Sequence, residues 1–122
     1  MDELVDRLVA SVGIDRATAE KSVGIILDFL AKEGPPDQVK VLIDSLPGAE
    51  GAVAAARAGE GGGGFGGMSG IMGVGSRMMA AGLSMEQIQG VTRQTIAFAR
   101  ERAGEDVVGE IVGAIPGLGQ FV

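Results

Sequence analysis

Apolar residues recur at the spacing of one helix face in two separate segments of the chain. Each segment places four of them at positions i, i+3, i+4 and i+7, which is typical of an amphipathic helix packed on a core. The first stripe is Val39, Leu42, Ile43 and Leu46, and the second is Val108, Ile111, Val112 and Ile115. Acidic residues precede both stripes and Pro-Gly follows both, so we predict a short helix in each place.

A longer apolar-rich run, from residue 17 to residue 32, precedes the first stripe. It contains several β-branched residues, but it is too long for an ordinary strand. Asp15 lies where a helix N-cap is expected, and Gly34 opens a Gly-Pro-Pro sequence that ends the run. We predict a central, largely buried helix.

A matching run, from residue 86 to residue 102, precedes the second stripe. Ser84 is a candidate N-cap, and Gln87 three residues later completes a capping-box pattern. Thr92 and Thr95 make this run more polar than the first. We therefore expect a second long helix that is less deeply buried.

The two groups of helices are related by an internal repeat. A shift of 69 residues aligns residues 12–48 with residues 81–117 without a gap. The identical pairs are Gly13 and Gly82, Phe29 and Phe98, Asp37 and Asp106, Val39 and Val108, Pro47 and Pro116, and Gly48 and Gly117. The chain is predicted to be all-α, with six to seven short helices in two pseudo-symmetric halves.

A shorter helix is expected ahead of each long one, and a connector joins the halves. The first short helix has the stripe Leu4, Val5, Leu8, Val9 and Val12, and the second has Ile71, Met72, Met78 and Met79. We predict a single helical domain over residues 1–122. It comprises a first repeat (1–48), an alanine- and glycine-rich connector (49–67) with a flexible glycine linker, a second repeat (68–117) and a tail (118–122).

Composition narrows the choice of partners and of location. The 122 residues carry a formal charge of −6, which repels nucleic acid and anionic membrane surfaces. The amino terminus lacks a secretory signal pattern, and no uncharged stretch is long and apolar enough to span a bilayer. We expect a cytoplasmic protein that contacts neither nucleic acid nor membrane.

Catalytic chemistry has little support in this sequence. There is no His, Cys or Tyr, so the commonest general bases and most activated nucleophiles are missing. The glycine-rich segment 61–67 lacks the Gly-Lys-Ser/Thr ending of a phosphate-binding loop. We predict no catalytic residue, no cofactor and no metal site. An enzyme that uses carboxylates alone is the third-ranked alternative.

Methionines are concentrated in one short segment of the second half. Met68, Met72, Met78, Met79 and Met85 lie within eighteen residues. Methionine suits both the filling of irregular core gaps and the binding of varied partners, and both alternatives stay open here.

The candidate partner surface comprises Met72, Met78, Met79 and Phe65. The predicted function is a non-enzymatic helical interaction module that forms a homo-oligomer or binds a protein partner. The alternative is a carrier that holds a small apolar ligand between the two halves.

Short motifs at the helix boundaries suggest a family. The chain has Gly13-Ile14-Asp15 before one long helix, Leu46-Pro47-Gly48 after the next, a glycine-rich middle, and Gly82-Leu83-Ser84 opening the second half. In these motifs it resembles the bacterial VcgC/VcgE-type domain family. The resemblance implies an all-helical bacterial domain. That family has no established activity, so the resemblance implies no functional residues.

Overall fold

The computed structural model describes residues 2–60, 70–115 and 119. Within these residues the chain forms seven α-helices and no β-strand, which confirms the predicted all-α fold. None of the described helices is both long enough and apolar enough to cross a membrane. The helices are α1 (Asp2–Val12), α2 (Arg16–Glu33), α3 (Pro36–Ser45), α4 (Ala49–Glu60), α5 (Gly70–Ala80), α6 (Met85–Ala103) and α7 (Glu105–Ala114).

Both predicted N-caps start the two longest helices. The Asp15 carboxylate accepts a hydrogen bond from the Thr18 backbone N–H at 2.8 Å. Ser84 Oγ accepts from the Gln87 N–H at 3.2 Å, and Gln87 Oε1 accepts from the Ser84 N–H at 2.9 Å. The predicted capping box is confirmed. These bonds satisfy backbone groups that the first helical turn leaves without partners.

The two short helices α3 and α7 end in the same way. Each stops one residue before a Pro-Gly pair, at Leu46 (φ −113°, ψ 100°) and at Ile115 (φ −108°, ψ 109°). Both residues are extended because proline disfavours helical geometry in the residue before it. The turns that lead into the long helices contain Gly13 at φ +83° and Gly82 at φ +100°, where a side chain would be strained.

Helix α2 lies at the centre of the fold. It packs against α1, α3, α4, α5 and α6, and every residue from Ser22 to Leu30 is buried. More than two turns of unbroken burial require neighbours on all sides of the helix. The predicted central, largely buried helix is confirmed.

Helix α6 is covered on fewer sides than α2. Arg93 and Arg100 are exposed, which agrees with the lower burial expected of this helix. The reason given by the sequence was wrong, however, because Thr92 and Thr95 are both buried. The polar face of α6 that meets solvent lies elsewhere on the helix.

Helices from early and late parts of the chain pack against each other. Helix α1 contacts α6, α5 contacts α2, and α3 contacts α7. One core cluster runs through these contacts and includes buried residues of all seven helices. The early and late helices therefore share one core.

A close approach of α2 to α4 is made possible by Gly24. A Cβ atom at this position would overlap the backbone carbonyl oxygen of Ala52 in α4 and would lie 3.3 Å from the Ala56 Cβ atom. Small residues on both helices let α2 and α4 come this near. Gly51, also in α4, has open space where its Cβ would lie.

We expect Gly24→Ala to lower the free energy of unfolding by about 1–3 kcal/mol, because backbone cannot move aside as a flexible side chain can. Gly51→Ala is the matched control and should leave that free energy unchanged or raise it by up to about 1 kcal/mol. Urea unfolding followed by circular dichroism measures both. Equal effects of the two substitutions would contradict the close approach of α2 and α4.

Two neighbouring buried threonines in α6 differ in their hydrogen bonding. Thr92 Oγ1 donates to the Ile88 carbonyl oxygen at 2.8 Å. Thr95 Oγ1 is fully buried and has no hydrogen-bond partner. An unsatisfied buried hydroxyl lowers stability because it has lost its bonds to water.

Thr95→Val should raise the free energy of unfolding by about 1 kcal/mol, since valine keeps the shape and removes the unsatisfied hydroxyl. Thr92→Val is the control and should leave it unchanged or lower it by about 1 kcal/mol, because that hydroxyl is satisfied. Thermal and urea unfolding of both variants checks this. A loss of stability in Thr95→Val would show that its hydroxyl contributes favourably.

Candidate interaction site

Helix α5 carries all three methionines predicted to form a partner surface. Val74 and Met78 are buried, with 5% and 0% of their surface exposed. They lie four residues apart and therefore on the same face of the helix, which packs against α2 and α6. Three glycines in α5 disfavour the helical state by about 1 kcal/mol each relative to alanine. Packing, rather than intrinsic propensity, holds this helix in place.

The four predicted surface residues do not share one environment. Met78 is fully buried and is a core residue in this conformation, because it shares the inward face of α5 with Val74. Met79 is the next residue and is 50% exposed. Met72 lies in α5, but its side chain is outside the described residues, as is Phe65. Core packing thus applies to Met78, and surface exposure applies to Met79.

A second exposed methionine lies close in sequence to Met79. Met85 is 52% exposed and is the first residue of α6. The turn between the two methionines is fixed by backbone hydrogen bonds, including one from the Leu83 N–H to the Met78 carbonyl oxygen at 3.1 Å. Leu83 is buried and anchors this turn to the core. Met79 and Met85 therefore flank one well-ordered turn.

A buried carboxylate connects α5 to the rest of the fold. Asp28 of α2 is fully buried, and its Oδ2 atom lies 3.3 Å from Arg77 Nη1 of α5 and 3.2 Å from Lys32 Nζ. The other terminal nitrogen of Arg77 donates to the Ala56 carbonyl oxygen of α4 at 3.3 Å. One guanidinium thus joins three helices.

The sequence contains a signal for this buried cluster that apolar spacing does not reveal. Asp28 is the only charged residue between Ser22 and Ala31, inside the run predicted to be buried. A buried carboxylate needs a cationic partner, so its position in this run predicts one. Its partner Arg77 is 49 residues away and could not be identified from spacing alone.

A second charged network joins α1 to α6. Arg7 makes two hydrogen bonds to the Glu101 carboxylate, at 2.6 and 3.1 Å. Glu3 pairs with Arg7 and with Arg102. The guanidinium carbons of Arg7 and Arg102 lie 5.2 and 4.9 Å from the centre of the Phe98 ring, at distances suitable for cation–π attraction. The network covers a buried aromatic ring with charges.

Two carboxylates at the surface have altered acidity. The paired guanidinium of Arg7 lowers the pKa of Glu101 through its hydrogen bonds, and Glu101 in turn raises the pKa of Arg7. Hydrogen bonds from Thr18 lower the pKa of Asp15 at the start of α2. All three shifts favour the charged forms, so these groups support the folded state at neutral pH.

A groove of ≈ 350 Å³ lies between the end of α2, α3 and α4. Val39, Ile43 and Val53 contribute apolar surface, and Lys40 and Glu50 add charge. Its volume is near the lower end of the range for small-molecule sites. All its lining residues lie between positions 31 and 54, so it is not a pocket between the two predicted halves.

The described part of the chain offers no arrangement that could hold a metal ion through three acidic side chains. In both charged clusters the carboxylates are paired with Arg or Lys side chains. The arrangement that distinguishes the surface is the pair of exposed methionines around the turn from α5 to α6.

Glu101→Gln should lower the free energy of unfolding at neutral pH by removing half of the ion pair with Arg7. In the wild-type protein this contribution is complete above the ordinary carboxyl pKa of 4.5 and is lost as pH falls through the lowered pKa of the folded state. The difference between variant and wild type should therefore shrink in acid. Urea unfolding across this range measures it, with Glu110→Gln as an exposed control on α7. A difference that persists in strong acid would contradict the ion pair as its cause.

Comparisons of this chain with protein-family models, with curated proteins and with solved structures gave no match.

Proposed function

We propose that this chain is a non-enzymatic helical interaction module that self-associates through the turn between α5 and α6. The observation that carries the proposal is the exposure of Met79 and Met85, at 50% and 52%, on either side of that turn. The other exposed large apolar residues in the described part are Val9 and Val41, which lie on α1 and α3. Two large apolar side chains are thus exposed on either side of one turn.

Methionine is well suited to such a surface. Its unbranched, polarizable side chain adapts to different partner shapes and gains favourable contacts on burial. A two-fold dimer would bring the same turn of each copy together, so each exposed methionine would be covered by the equivalent surface of its partner. The hydrogen-bonded turn keeps both residues in a defined position, which lowers the entropy lost on association.

We also propose that the chain arose by internal duplication, with two pseudo-symmetric halves related by 69 residues. The N-caps Asp15 and Ser84 have nearly the same backbone angles, at φ −78° and −82° with ψ 168° in both. The C-caps Leu46 and Ile115 also match closely. These pairs lie 69 residues apart, as the sequence repeat requires.

The contacts between helices support the same proposal. In the repeat, α1, α2 and α3 correspond to α5, α6 and α7. The contact of α1 with α6 then corresponds to the contact of α5 with α2. Exchanging the two halves leaves two further contacts unchanged, those of α2 with α6 and of α3 with α7. Helix α4 has no counterpart among the described helices. Its neighbour Gly24 corresponds to the exposed Arg93 of α6, a residue suited to solvent.

A carrier of a small apolar ligand is the second candidate. The groove between α2, α3 and α4 supports it by its volume and by its apolar residues. Its charged rim and its open form favour a surface contact over the enclosed burial typical of carriers. The cytoplasmic location, the bacterial origin and the absence of a nucleic-acid partner stay predictions.

Native mass spectrometry and sedimentation velocity of the intact chain test the proposed function. The wild-type chain should form a dimer or a higher oligomer without added mass. Met79→Glu combined with Met85→Glu should weaken association by at least about tenfold, because charge would be buried in the contact. The helical content of the variant should be unchanged, since both side chains are exposed.

Val41→Glu is the matched control, because Val41 is 45% exposed and lies on α3. It should leave association unchanged. A wild-type monomer at all concentrations would contradict self-association. A monomer that retains extra mass would instead favour the carrier.

A further inference from the structure

We propose that α5 is a detachable helix whose attachment to the core is controlled by the ion pair between Arg77 and Asp28. When α5 opens, the methionine surface extends from Met79 to the buried Met78. The role of this opening in association rests on the proposed function, whereas the opening itself does not.

The corresponding helix of the first half is held in a different way. In α1, Leu4 and Leu8 are fully buried in the core. The residues 69 positions later are Gly73 and Arg77. Helix α5 therefore has a glycine where α1 has Leu4, and a charged arginine where α1 has Leu8. Val74 is buried like Val5, its counterpart in α1, so α5 keeps part of the apolar attachment and adds one through the charge of Arg77.

The partner position on the central helices changes to match. Asp28 of α2 corresponds to Ala97 of α6. Helix α1 packs on α6, which has the alanine, and α5 packs on α2, which has the carboxylate. The contact between α2 and α5 thus has an anion on one helix and a cation on the other, at positions where α6 and α1 have uncharged residues. Such a matched change points to a specific contact.

The ion pair favours the closed position of α5. In the closed state the carboxylate of Asp28 is fully buried, and Arg77 approaches to 3.3 Å. Lys32 also approaches this carboxylate, but it belongs to α2 itself and does not attach α5. When α5 moves away, water can solvate Asp28 in place of the guanidinium. Without Arg77 the closed state would keep a buried charge with less compensation, so opening would become easier.

The turn after α5 is suited to act as the hinge. Opening of α5 would break the hydrogen bond from the Leu83 N–H to the Met78 carbonyl oxygen, and the chain could then turn at Gly82 (φ +100°), because glycine adopts the widest range of backbone angles. The capping box at Ser84 holds the start of α6 independently of α5. Helix α5 can therefore separate without unwinding α6.

Hydrogen–deuterium exchange of the intact chain tests this inference, because amide exchange reports the free energy of local opening. In Arg77→Met, we expect the amides of residues 74–80 to exchange at least about tenfold faster, with a smaller change in α1 and α7. Arg93→Met removes an exposed arginine of α6 and should not alter exchange in α5. Equal acceleration throughout the fold, or none in α5, would overturn the proposal.

Gly75→Ala provides a second test with the opposite sign. Its Cβ would meet no other atom, so the substitution strengthens α5 without a clash. Exchange in α5 should slow by about fivefold, with the remaining helices unchanged. Unchanged exchange in α5 would contradict opening of this helix as a unit. Sedimentation of the same samples measures self-association separately. A monomeric wild-type chain would contradict the proposed function, whereas hydrogen–deuterium exchange would still decide whether α5 opens.

Discussion

Burial of the middle of one helix on all its sides is the constraint on which the rest of this structure depends. Helix α2 contacts five of the other helices, and its residues from Ser22 to Leu30 are all removed from solvent. The chain has four phenylalanines and no Trp or Tyr. Its core is therefore built mainly from aliphatic side chains and close helix contacts. Gly24 permits a close contact between α2 and α4, so the absence of one side chain helps to determine how α4 lies on the core.

Apolar spacing predicted the helices well because burial of one face governs where they form. The stripe of α3, the caps at Asp15 and Ser84, and the central place of α2 all followed from local patterns. The position of each side chain was harder to predict. Met78 and Met79 are adjacent and chemically identical, yet one is buried and the other is exposed. That difference depends on which face of α5 meets the core, and glycines obscured the apolar stripe of this helix.

Contacts between distant residues could not be read from the sequence. Asp28 and Arg77, and likewise Arg7 and Glu101, are brought together only by the packing of early helices on late ones. The two clusters also differ in kind. The network around Phe98 lies at the surface, where water also solvates its charges. Asp28 has no exposed surface, so its charge depends on protein groups.

The packing of α1 on α6 has a consequence for the order in which the protein folds. Contacts such as that of Glu3 with Arg102 join residues 99 positions apart. The apolar face of α1, including Leu4 and Leu8, cannot gain its full cover until α6 has been synthesised. Contacts this distant in sequence slow folding, because a long stretch of chain must be ordered before they form. During synthesis on the ribosome, the early helices must therefore wait, partly uncovered, for most of the chain to emerge.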